Sequence, residues 1–329
     1  MPELVRAPTR ETRTMLMDSR RWDNFKPRAD DIVIATYPKC GTTWTQRIVD
    51  LLVFQSAAPR QFFASSPWLD ATFFATVEED LANLESQTHR RYIKTHLPFD
   101  SFPVYAGAKI VHVVRDGRDA CMSMHNHMLA MRPEMGQRMA MLAAQEGRLP
   151  PPGDGPPGRP GAGPPQTPED IHDYYLQWMD QAEAGDGSGA GDLSYFDFEN
   201  TYWGHRADPN LLFVHYADLK ADLAGEMRRI GGFLGIDTPD SLMPALVKAA
   251  TFDSMKAQGE EMLPQLQAAF VGGSERFLNK GVNGRWRDVL NAADLARYDA
   301  LVKRKLSPTL AAYLEKGRLA AGDPRGLAD

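Results

Sequence analysis

Little in this chain of 329 residues points to an unusual environment. It has only two cysteines, Cys40 and Cys121, which excludes a disulfide framework and a CxxC zinc pattern. No apolar run is long enough to span a bilayer; the longest, IVDLLVF, is interrupted by Asp50. The N-terminal stretch MPELVRAPTRETRTMLMD is too polar to hold the apolar core of a signal peptide. Basic residues number 37 against 43 acidic ones, a net charge of −6, which argues against a general nucleic-acid binder but allows a local basic pocket. The expectation is a soluble cytoplasmic protein with no membrane and no nucleic-acid partner. Its length suffices to bury the core of one large α/β domain.

Four runs rich in β-branched and apolar residues read as strands: DIVIATY (31–37), RYIKTH (91–96), AKIVHVVRD (108–116) and NLLFVHYADL (210–219). Continuous apolar runs of this kind suit central strands of a parallel sheet with both faces covered. Between them lie helical patterns: Trp44, Ile48, Leu51 and Leu52 after the first run, and Met124, Met128 and Met131 after the third. Strands alternating with helices predict an α/β, P-loop-like three-layer fold, a mainly parallel central sheet flanked by helices. The stretch 149–168, LPPPGDGPPGRPGAGPPQTP, lacks periodicity and reads as a mobile insertion, starting near Pro133 as the Met-rich helix frays. One domain over 1–329 with this insertion is the expected organisation. A glycine patch at 184–192 marks another surface loop.

The stretch ATYPKCGTTW (35–44) puts Lys39, Gly41, Thr42 and Thr43 in a tight turn between a strand and a helix. Backbone N–H groups and a helix N-terminus bind anions in that setting. A nucleoside-triphosphate loop places its lysine directly after the last glycine. Here Lys39 precedes Gly41, so a different anion is expected. Trp44 offers an aromatic face for a base.

This segment resembles the 5′-phosphosulfate loop of the cytosolic-type sulfotransferases that use 3′-phosphoadenylyl sulfate (PAPS), approximately TYPKSGTTW. TYPKCGTTW differs only by Cys40. Four further segments of resemblance appear, all in the family's order. VVRDGRDACMSM (113–124) resembles the element that binds the 3′-phosphate, with Arg115 and Ser123 at matching positions. IKTHLPFD (93–100) resembles KTHLP, in which His96 would be the general base. FLNKGVNGRWRDVL (277–290) is similar to RKGxxGDWK, so that Lys280 and Gly281 would close over the 3′-phosphate. Asn279 stands where the family has Arg, and Arg285 where it has Asp; Arg276 or Arg285 is the candidate replacement for the lost contact. ATFDSMK (250–256) resembles the adenine-side segment, with Thr251, Phe252 and Met255 as contacts. Phe196 falls near the family's adenine-contacting Tyr.

The resemblance implies sulfuryl transfer from PAPS to a hydroxyl of a small-molecule acceptor, leaving 3′,5′-ADP (PAP). His96 would take the hydroxyl proton, as an imidazole titrating near neutrality suits that task. Lys39 would neutralise charge on the bridging oxygen. Lys94 would stabilise the transferring group, and Ser123 would bond Lys39. No metal is implied. His112 and His215 lie inside apolar strands and read as core. His125 and His127 lack a third ligand at helical spacing for a metal site.

Phe62, Phe63, Trp68, Phe73, Phe74 and Phe99 are candidates for an apolar acceptor pocket. Met124, Met128, Met131, Met135 and Met139 read as core packing, with an adaptable pocket wall as the alternative. The family's dimer motif would fall on RDVLNAADLA (287–296), which keeps only a basic first residue. Three alternatives stay open at this stage: a carbohydrate or lipid acceptor, a P-loop kinase, and a nucleotide-binding protein without catalysis.

Overall fold

The computed structural model of the chain describes residues 1–148, 167–185 and 193–329. Among these, the strands are β1 (Leu4–Arg6), β2 (Ile32–Thr36), β3 (Tyr92–Thr95), β4 (Val104–Tyr105), β5 (Lys109–Val114) and β6 (Leu211–His215). The four runs expected as strands are β2, β3, β5 and β6, and they form one parallel sheet in the order β3-β2-β5-β6. Strand β1 pairs with β4 in a separate antiparallel ribbon. The polar N-terminal sequence gave no hint of it.

The sheet is buried on both faces, as its apolar strands require. Val33 and Ala35 of β2 enter one core, and Ile32 and Ile34 enter the other, following the two-residue period of a strand. One face is covered by the helices Thr42–Phe54 and Leu223–Leu234 through Ile48, Leu51, Leu52, Met227, Ile230 and Leu234. The other face is covered by Gly117–Ala130, Ile171–Ala184 and Tyr195–Trp203, through residues such as Cys121, Tyr175, Trp178 and Tyr202. This gives the expected three layers. Asp50, inside the apolar run, is fully buried but accepts from Arg47, Arg60 and the Tyr92 hydroxyl, so its charge is compensated.

All four parallel strands end at the same edge. Thr36, Thr95, Val114 and His215 are followed there by the loop 37–41, His96, Arg115 and Tyr216. Strand β2 has β3 on one side and β5 on the other. That is a topological switch point, where open α/β sheets place their ligand crevices.

The chain does not become a loop at Pro133. A helix runs from Pro133 to Gln145, with proline in its first turn and Met139, Ala140 and Ala143 buried. A proline there forfeits no intrahelical bond, because the first N–H groups of a helix have no partner. Of the Pro/Gly-rich insertion expected at 149–168, residues 149–166 lie outside the described residues. Residues 186–192 of the glycine patch do too; of that patch only Ala184 and the left-handed Gly185 (φ 84°), which ends the preceding helix, are described. His112 and His215 are buried, as expected of core residues; His112 stacks on Tyr202 at 3.7 Å. No helix of the described residues is long and apolar enough to cross a membrane.

Candidate active site

The loop between β2 and the helix Thr42–Phe54 is held in a shape most residues avoid. Lys39 has φ 71° and Gly41 φ 120°. A Cβ at Gly41 would lie 3.0 Å from the Tyr216 ring, so both conformation and space favour glycine. The helix starts without a side-chain cap, which leaves its first N–H groups available. The Thr42 hydroxyl lies 2.6 Å from that of Thr36. Trp44 is fixed by its indole N–H, which donates to the Ala250 carbonyl at 2.7 Å, and by an edge contact with Tyr216. Cys40 is different: its side chain is fully buried in the core, so only its backbone belongs to the loop.

Lys39, Gly41, Thr42, Thr43 and Trp44 line a cavity together with Lys94 and His96. The Nδ1 of His96 lies 2.8 Å from the Thr36 carbonyl oxygen. A carbonyl only accepts, so Nδ1 carries the proton and Nε2 is left with a free lone pair. Burial, followed by the positive fields of Lys94 and Lys39, holds His96 well below the usual imidazole range. The ring is therefore neutral at pH 7, the form a base requires. Burial also brings Lys94 down to about 8. Its ammonium lies 4.0 Å from the centre of the Trp68 ring. Lys39 falls to about 7, through burial first and then the nearby charges of Lys94 and Arg115.

A basic edge closes the cavity at the end of β5. Arg115 donates to the Val282 carbonyl (2.8 Å) and the Asn283 side-chain oxygen (2.9 Å), and its guanidinium stacks 4.3 Å from the centre of Tyr216. Asp119 accepts the Gly284 N–H at 2.8 Å. Segment 279–282 is thereby tied over the loop, and Asn279, Lys280 and Gly281 all reach the cavity. Arg285 lines it too, whereas Arg276 does not. Phe252 and Met255 form part of the wall.

Several expected positions behave otherwise. Phe196 is fully buried among Trp178, Tyr195 and Tyr298 and does not line the cavity. Its neighbour Tyr195 instead supports Arg115 by donating to its carbonyl (2.6 Å). Thr251 is spent on the helix Phe252–Ala257, whose N-terminus it caps through Ser254. Ser123 lines the cavity, yet the partner of the Lys39 amine is Nδ1 of His127 at 3.3 Å. Phe99 lies with Phe102 and Tyr202 in the core.

The rest of the cavity wall is apolar. Phe62, Phe63, Trp68, Phe73 and Phe74 line it, as do Met124, Met128, Met131, Met135 and Met139. The methionines thus wall a space instead of simply filling the core. Leu263, Leu266 and Phe270 complete this wall.

Residues 29–309 match the Sulfotransferase domain family. The chain belongs to this family. It is 33% identical to a glycolipid sulfotransferase of Mycobacterium bovis and 34% identical to one of Mycobacterium tuberculosis, each alignment covering 93% of this chain and 94% of the relative. Cytosolic sulfotransferase 1 of Danio rerio is 28% identical over 86% of this chain and 85% of its own. Among solved structures, mouse sulfotransferase SULT7A1 complexed with PAP superposes with a TM-score of 0.62 at 22% identity, over 88% of this chain and 89% of that one. Retinol dehydratase in a complex with retinol and PAP gives 0.64 at 22% identity, over 88% and 84%. At these identities the two structures speak for the fold.

In this sulfotransferase, sequence reasoning missed His127, Asp70 and Asn283. Sequence alone pairs His127 with His125, but the two rings diverge: His125 Nε2 donates to the Pro168 carbonyl at 2.9 Å. The available signal was spacing, since Ser123 and His127 share a helix face at i and i+4. Asp70 is buried and accepts from the indole of Trp68 at 2.7 Å and, more distantly, from the His96 backbone N–H. It thereby orients the ring beneath Lys94.

Proposed function

We propose that this sulfotransferase moves the sulfuryl group of PAPS to a hydroxyl of an amphiphilic carbohydrate or lipid acceptor of the glycolipid kind. One observation carries the catalytic part: the free Nε2 of a neutral His96 shares a cavity with Lys39 and Lys94. Neither lysine makes an ion pair among the described residues. Two half-buried lysines without an ion pair among the described residues fit an anionic co-substrate, whose charge favours their ammonium forms. The uncapped helix start at Thr42 and the guanidinium of Arg115 fit its phosphates.

When bound, PAPS supplies a sulfuryl group whose S–O bond to the 5′-phosphate breaks as sulfur bonds the acceptor oxygen, leaving PAP. His96 Nε2 takes the acceptor's proton. Lys94 faces the charge on the transferring oxygens, and Lys39 the charge on the departing phosphate. The buried setting strengthens these interactions, because little water screens them. The sequence departures at 279 and 285 are compatible with this reading, since Lys280 and Arg285 both reach the cavity.

The acceptor assignment rests on the mycobacterial relatives named as glycolipid sulfotransferases and on the long apolar wall, which suits an acyl or alkyl chain. A small aromatic alcohol is the second reading, favoured by the cluster Trp68, Phe73 and Phe74, which lies beside His96. Titration with PAP, with ATP in parallel, followed by transfer from PAPS to an alkyl glucoside and to a phenol, tests the proposal. Binding of PAP but not ATP, with preference for the glucoside, supports it. Absence of PAP binding removes the catalytic reading, and preference for the phenol removes the acceptor reading.

A further inference from the structure

His127 occupies a position between the cationic and apolar parts of the cavity. Its Nδ1 lies 3.3 Å from the Lys39 amine. Its ring is wedged between Phe270 (centroids 4.7 Å) and Phe277 (5.6 Å), which fixes its orientation. The other nitrogen, Nε2, has no hydrogen-bond partner among the described residues, although the side chain lines the cavity. With an anionic co-substrate in the cavity Lys39 is held as the ammonium, which has only donors, so Nδ1 accepts from it and the proton of the neutral ring sits on Nε2. Burial, then Lys39, Lys94 and His96, keep this ring neutral by holding it well below the ordinary imidazole range.

The two histidines therefore offer complementary atoms to one space. His96 presents a bare Nε2, fixed by the Thr36 carbonyl. His127 presents an Nε2–H, fixed by Lys39. A lone hydroxyl satisfies the first and leaves the second unpaired, which is costly in a buried site.

We propose that His127 is a specificity-determining residue that donates a hydrogen bond to a second oxygen of the acceptor, beside the hydroxyl whose proton goes to His96. The acceptor headgroup is then a polyol such as a sugar, with neighbouring oxygens, and a simple alcohol or phenol fills the site incompletely. This rests on the sulfotransferase reading above and narrows its acceptor class.

The test measures kcat/KM with PAPS for an alkyl glucoside and for the alkanol of equal chain length, in the wild type, H127F and H127Q. The amide N–H of glutamine stands near the place of Nε2, whereas phenylalanine keeps the ring volume without the donor. The expected result is a glucoside-to-alkanol ratio that falls roughly tenfold in H127F, the scale of one lost hydrogen bond, and is largely restored in H127Q. Should H127F not fold, H127L repeats the comparison. Equal losses with both acceptors would mean that His127 only positions Lys39, and the proposal fails. It fails too if the wild type binds PAP but transfers only to the alkanol, or to neither. A wild type that binds no PAP removes the parent reading instead.

Discussion

The His96 ring is pinned by the carbonyl oxygen of Thr36, 2.8 Å from Nδ1, across the gap between β3 and β2. The proposed base is thus oriented by backbone, which no side-chain replacement at position 36 can remove. His96→Ala is expected to lower kcat by roughly 10²–10⁴-fold, the range for general acid–base groups, while leaving PAP affinity nearly unchanged. Thr36→Val removes only the hydroxyl near Thr42 and His96 and is expected to cost less than about tenfold. Steady-state kinetics beside PAP titration checks both. Loss of PAP binding in His96→Ala would instead make the residue structural.

Lys39 and Lys94, at about 7 and about 8, sit below the ordinary lysine value of 10.5 in the ligand-free cavity. Burial is the first cause in both. The unfolded chain therefore binds more protons than the folded one between about pH 7 and 10.5, so these groups make the free protein more stable as pH rises through that window. An anion in the cavity pulls both values up, so PAP binding takes up protons near pH 8 and weakens at higher pH. The checks are thermal unfolding from pH 7 to 9, with and without PAP, and PAP calorimetry in buffers of differing ionisation enthalpy. In Lys39→Met the proton uptake shrinks; uptake unchanged from wild type would contradict this assignment.

What the sequence disclosed was mostly local. The four parallel strands, the tight loop 37–41 and the place of His96 at a strand end are each set by a few contiguous residues whose backbone shape follows from composition and order. Positions that depend on neighbours from elsewhere in the chain were harder to read. Phe196 and Phe99 look like pocket aromatics, but the helix Tyr195–Trp203 turns Phe196 into the core, and Phe99 packs on Phe102 and Tyr202. The place of His127 in the cavity depends on Lys39, which is left-handed, and on Phe270 and Phe277, some 150 residues later in the chain, which wedge its ring. The β1–β4 ribbon joins two segments about a hundred residues apart, which short-range patterning does not register.

Gly281 has φ 62°, and a Cβ there would lie 2.6 Å from the Phe252 ring. The segment over Arg115 can therefore close only if position 281 is bare. Gly281→Ala is expected to shift Phe252 and strain the backbone by about 1–2 kcal/mol. Because the segment lies at the cavity mouth, PAP affinity should fall roughly tenfold while the melting temperature changes little. Isothermal titration alongside thermal unfolding separates the two effects. An unchanged PAP affinity would mean that the segment does not contact the nucleotide.

The apolar wall makes a quantitative demand on the acceptor. Leu263, Leu266, Phe270 and the methionines at 128, 131 and 135 line one continuous space with His96. If an alkyl chain lies along them, each added methylene moves from water to that wall and contributes up to about 0.8 kcal/mol. That corresponds to as much as about fourfold in kcat/KM per methylene, continuing until the chain outruns the wall. Hexyl, octyl and decyl glucosides should therefore form a steeply rising series. Leu266→Gln places a polar amide in the wall and should flatten that series without altering PAP affinity, since residue 266 lies on the apolar side. A flat series in the wild type would leave the wall without an acceptor chain to bind and return the choice to a compact aromatic alcohol.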